Sequence, residues 1–190
     1  MSRIRRGEQR EHLGQLAWMA RPNDLFPDNF DKHIDIELGA VHYFPKDADE
    51  IPRDRGELHW MIRWYLTDWY DTPTFRVVEL RFERQDTTSK RTMGVFQETY
   101  TNWGPITRSI KLETQTSSLW LKLGSLALEK RKVLEYISAS EPVKVPISYD
   151  WNCQEWTKSV LKKSVTEGLF SQTIVSDAVR RLEVCATFHH

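Results

Sequence analysis

The nine residues Leu58–Leu66 constrain this chain more than any other stretch, because they alternate without a break. Leu58, Trp60, Ile62, Trp64 and Leu66 fall on one side, and His59, Met61, Arg63 and Tyr65 fall on the other. A period of two is the signature of a β-strand with one apolar face. Two tryptophans on that face need something broad to cover them, such as a helix layer or a second sheet. The pattern therefore predicts a sheet with a deep core on one side, and it places the only polar groups of the strand on the other side.

Neighbouring stretches extend the sheet. Ile36–Phe44 reads as an earlier strand ended by Pro45, and Phe75–Phe82 as a later one after the turn Asp71-Thr72-Pro73. The polar run Glu83–Arg91 reads as a turn or exposed loop, and Val95–Asn102 and Ile106–Thr114 as two further strands separated by Trp103-Gly104-Pro105. Strands joined by short connections favour antiparallel pairing. The period then changes. Leu126–Ser138 carries Leu126, Leu134 and Ile137 at helical spacing, and Val143–Tyr149 is a short extended piece. A helix is expected over Cys153–Glu167, with Asn152 as N-cap, Glu155 completing a capping box and Gly168 as the stop. A last helix is expected over Thr173–Val184. Strands followed by helices give an α+β fold with a sheet of four to six antiparallel strands against C-terminal helices. Residues 1–35, broken by Pro22 and Pro27, are expected to form an arm with a short helix around His12–Ala20, and residues 36–190 a single domain.

Composition narrows the function classes. With 27 basic and 27 acidic residues the chain has no net charge and no basic block, so nucleic acid is not an expected partner. No apolar run is long enough to span a membrane, and the basic N-terminus is not followed by the apolar run of a secretory signal. The two cysteines, Cys153 and Cys185, make a disulfide framework improbable and fit a reducing, cytoplasmic setting. No CxxC, HExxH or glycine-rich phosphate-binding spacing occurs, so neither a metal nor a nucleotide cofactor is expected.

One constellation carries chemistry. Cys153 would open its helix, where unpaired N–H groups and the positive end of the macrodipole favour a thiolate. Of His12, His33, His42 and His59, the last is best placed as its base, since it begins the surest strand. Glu79, on the next strand, is the candidate to orient the imidazole. Each has a bland reading as well. Cys153 shares a helical stripe with Trp156 and Val160 and fits a core position. His59 fits a satisfied strand-end histidine, Glu79 a cross-strand partner of Arg63 or Arg81, and Cys185 a small packing residue. Trp103, Trp151, Asn152 and Tyr65 are candidates to line an apolar or aromatic pocket beside the thiol.

The order of these stretches, Leu58-His59-Trp60, then Val77-Val78-Glu79-Leu80, then Asn152-Cys153-Gln154-Glu155-Trp156, resembles circularly permuted papain-like thiol enzymes of the NlpC and lecithin-retinol-acyltransferase kind. It is more closely similar to a family of uncharacterised fungal proteins with a His-Trp strand, a Val-Arg-Leu-Asp-like second strand and a Gly-Cys-Arg-Phe-Trp-like helix start. The resemblance spans about residues 36–170 and implies Cys153 as nucleophile, His59 as base and Glu79 as orienting residue. It also implies a thiol hydrolase or acyltransferase acting on a small molecule or peptide, and a secondary metabolite if the chain is fungal. The chain departs from the family in having Asn before Cys153 and Glu in place of Asp at 79, and a loss of activity with retention of the fold is a known outcome in such families. The competing expectations are a binding module of the same fold, and a non-covalent isomerase or cyclase that uses His59 and Glu79.

Overall fold

The computed structural model describes residues 28–41, 58–69, 72–86, 96–110, 118–144 and 151–187. Six strands are found there: β1 Ile34–Val41, β2 His59–Trp69, β3 Thr72–Asp86, β4 Phe96–Asn102, β5 Ile106–Ser109 and β6 Leu119–Leu126. Three helices follow them: α1 Leu128–Ser140, α2 Cys153–Thr166 and α3 Gln172–Thr187. The fold is α+β, as the sequence implies. All strand pairs are antiparallel, in the order β4-β3-β2-β1-β6, with β5 also on β3.

β4 and β5 pair with successive halves of β3. Leu80–Asp86 runs beside β4 and Thr74–Val77 beside β5. The break between them falls at Trp103-Gly104-Pro105, where Gly104 takes a φ of 65° that favours glycine and its N–H donates to Asn102 Oδ1 at 2.8 Å. The buried Asn102 amide also donates to the carbonyls of Ser138 and Glu141, both at 2.9 Å. This side chain therefore fastens the end of α1 to the sheet.

The helices cover the face that carries Trp60, Ile62 and Trp64, and these three are fully buried against residues such as Leu134, Trp156, Val160 and Leu182. The opposite face holds a smaller cluster of Val41, Met61, Phe75, Val77 and Ile110. On that face the Arg63 guanidinium lies 3.3 Å from the Trp120 ring centroid and 4.2 Å from that of Phe75. Gly39 makes this close stacking possible, because a Cβ there would sit 2.1 Å from the Trp120 ring.

Local signals explain α2. Asn152 Oδ1 accepts the N–H groups of Gln154 at 2.8 Å and Glu155 at 3.2 Å. Glu155 Oε1 pairs with Lys158 at 2.8 Å. The far end closes with Gly168 at φ 68°, its N–H bonded to the Val165 carbonyl and the Leu169 N–H to that of Ser164, both at 2.9 Å.

Several expectations need correction. β1 begins at Ile34, and Asp28 is buried, with its carboxylate held by Arg131 and Trp64. Glu83–Asp86 belongs to β3 because it has β4 to pair with, and Thr72 and Pro73 are strand residues as well. Leu126 ends a strand, β6, and the helix expected from that residue begins at Leu128. Leucine-rich alternation of this length suits either period, and pairing with β1 decides it. The helix expected around His12–Ala20, the ends of the Ile36–Phe44 and Ile106–Thr114 strands, and the extended piece from residue 145 lie outside the described residues. No helix among the described residues is long and apolar enough to cross a membrane.

Candidate functional site

His59 is the first residue of β2, and Glu79 lies on β3 opposite Met61. Being two residues apart on one face, His59 and Glu79 are diagonal cross-strand neighbours, near enough for long side chains to meet. His59 Nε2 sits 2.9 Å from Glu79 Oε2. Cys153 is the first residue of α2, and Gln154 Nε2 donates to the Leu58 carbonyl at 3.2 Å, which ties the first turn of that helix to the start of β2. The sequence-expected trio is drawn to one imidazole: Glu79 is hydrogen-bonded to it, and Cys153 lies near enough to act on its charge.

The surroundings set the charges. Burial alone would lower the pKa of His59, but the charge and hydrogen bond of Cys153, followed by those of Glu79, raise it to about 10. Burial would likewise raise Glu79, and the charge of Arg108, the hydrogen bond and charge of His59, and the charge of Arg81 bring it down to about 2. Both neighbours favour the charged form of the imidazole.

Glu79 is 3% exposed, and its two oxygens differ. Oε2 meets His59, whereas Oε1 makes no hydrogen bond of good geometry. Arg108 Nη1 at 3.2 Å and Arg81 Nε at 3.6 Å face Oε1 as ion-pair partners. Arg63, one of the two arginines expected to pair with Glu79, binds Glu37 instead at 2.8 Å.

The residues expected to line a pocket separate. Asn152 serves the site indirectly, as the cap that fixes the first turn of α2. Trp103 occupies the break between β4 and β5 and is partly buried there. Trp151 is a correction: it is 6% exposed and packs edge-on against Tyr100, with centroids 5.7 Å apart, as part of the main core. Tyr65 is another. It lies six positions beyond His59 on β2, roughly 20 Å away at about 3.3 Å per residue. It packs edge-on against Phe75 and borders a separate groove of about 590 Å³ with Lys32, Arg63 and Pro73. Strand parity put Tyr65 on the same face as His59, but parity says nothing of distance along the strand.

Two contributors went unread in the sequence, Arg108 and Gln154. Arg108 reaches Glu79 only through the register of β5 on β3, and no local pattern encodes that register. Gln154 stands next to the cysteine, but its carbonyl partner is 96 positions away. The chain matches no protein-family model, no curated protein and no solved structure.

Proposed function

We propose that the protein is a cysteine-dependent acyl-transfer or hydrolytic enzyme in which Cys153 is the nucleophile, His59 the general base and acid, and Glu79 the residue that orients His59. The observation that carries this reading is the convergence of Cys153 and Glu79 on the one imidazole. His59 takes the thiol proton, and the sulfur attacks a carbonyl carbon to form a C–S bond. The cap occupies the N–H groups of Gln154 and Glu155, and the helix ladder that of Trp156. The Cys153 N–H is thus the first-turn donor for the oxyanion. The leaving group departs with the proton from His59. Water or an acceptor nucleophile, deprotonated by His59, then breaks the C–S bond and restores the thiol.

The order of histidine before cysteine, together with a cysteine-opened helix beside an antiparallel sheet, supports the permuted papain-like type. Amides, esters and thioesters all fit the chemistry. With Trp151 in the core, Trp103 is the loop tryptophan left to favour an aromatic substrate. The test is alkylation by iodoacetamide at pH 6, read by peptide mass spectrometry. Cys153 is expected to react well ahead of Cys185, and His59→Ala is expected to abolish the difference. Equal, slow labelling of both cysteines in the native chain overturns the reading.

A further inference from the structure

On the far side of Glu79 from the imidazole stands Arg108, on β5 opposite Phe75 of β3. Its guanidinium extends along the sheet toward Glu79, with Nη1 3.2 Å from Oε1 and Nη2 3.5 Å from the Met61 sulfur. Its Nε is buried without a hydrogen-bond partner. An arginine used only for stability normally spends its donors on hydrogen bonds. Arg108 spends its reach on the one carboxylate that touches His59. The groups facing Glu79 are then His59 from β2, Arg81 from its own strand and Arg108 from β5. Cys153 of α2 joins from beyond the imidazole.

We infer that Arg108 is a positioning residue for the proposed Cys153–His59–Glu79 site, acting through Glu79 to keep that carboxylate ionised and its Oε2 turned toward His59. The inference rests on the proposed function and adds a fourth member to it.

The physical need is plain. A carboxylate this buried is driven toward its neutral form, and a neutral Glu79 would stop supporting a charged imidazole. Arg108 leads the charges that oppose this, ahead of His59 and Arg81. Arg81 stands farther off and is 48% exposed, so water screens it more. Because Arg108 pairs with the oxygen that His59 does not use, it fixes the carboxylate without competing for the imidazole.

Two readouts test this on the full chain: the His59 ring-proton titration followed by NMR, and the pH profile of Cys153 alkylation by iodoacetamide. Arg108→Met is expected to lower the His59 midpoint by about one pH unit and to shift the alkaline limb of the Cys153 alkylation profile by a similar amount. Arg108→Lys should restore part of both effects, and Arg81→Met should give a smaller shift. If Arg108→Met does not fold, Arg108→Gln, uncharged and able to donate, carries the same expectation. A His59 midpoint and alkylation profile unchanged in Arg108→Met, even with a lower melting temperature, overturn the assignment. Glu79→Gln separates this failure from a deeper one. If Glu79→Gln shifts both readouts and Arg108→Met shifts neither, only Arg108 is misassigned. If Glu79→Gln shifts neither, the coupled Cys–His–Glu site itself is wrong.

Discussion

Two buried carboxylates in this fold are held in opposite ways. Asp28 accepts from Arg131 Nε at 2.7 Å and Trp64 Nε1 at 2.8 Å on one oxygen, and from Arg131 Nη2 at 2.8 Å on the other. Arg131 spends its remaining donor on the carbonyls of Lys32 and Leu126, and Nη2 also reaches that of Phe30. Both oxygens of Asp28 therefore have hydrogen-bond donors. Glu79 has one short contact, to a histidine, and two longer ones to arginines outside hydrogen-bond geometry. A saturated carboxylate clamps two segments together. A carboxylate left partly satisfied beside an imidazole holds a proton equilibrium, and this is what acid–base chemistry needs.

The largest effect is expected from breaking the saturated cluster. Removing one member of a buried ion pair strands the other, so Asp28→Ala should cost about 3–5 kcal/mol of unfolding free energy, read by urea denaturation. The folded fraction should still alkylate Cys153 with the wild-type pH profile. Loss of that profile in folded protein would show that the two clusters are not independent.

Glu79→Gln should reverse the balance, with a lower His59 midpoint and a shifted pH profile of Cys153 alkylation. Its stability cost should depend on pH in a way that Asp28 does not share. Glu79 is lowered from 4.5 to about 2, so its stabilisation is complete above pH 4.5 and is lost as the pH falls toward 2. His59 is raised from 6.5 to about 10, so its stabilisation is complete below pH 6.5 and is lost as the pH rises toward 10. The stability difference between wild type and Glu79→Gln should therefore peak between pH 4.5 and 6.5. For Asp28, whose pKa is held below the usual value through Arg131 and Trp64 despite burial, the contribution should be lost only on the acid side, below about pH 3.8. Denaturation at a series of pH values distinguishes the two shapes.

A smaller effect is expected from Asn152→Ala, which removes the acceptor for two first-turn N–H groups without touching either carboxylate. It should cost about 1 kcal/mol by thermal or urea melts, with a modest change in the Cys153 rate. Tyr65→Ala should leave Cys153 alkylation unchanged, because Tyr65 stands six positions along β2 from His59. A changed rate would mean that the groove beside Arg63 communicates with the thiol.

Much of this contrast was legible in the sequence and part of it was not. The Leu58–Leu66 alternation gave the strand and its buried face, because a period of two follows from backbone geometry alone. Asn152 and Gly168 marked the bounds of α2, since capping is local chemistry. Three residue types at a helix start, a strand start and a mid-strand position were enough to nominate Cys153, His59 and Glu79. Tertiary structure decided the rest. It buried Trp151, moved Tyr65 away from the thiol, made Leu119–Leu126 a strand and drew Asp28 into the core. It also brought Arg108 to Glu79 through the register of β5 on β3, a pairing between residues distant in sequence that no local preference encodes. Local patterns specify which atoms can do chemistry. Strand register and layer packing specify which of them meet.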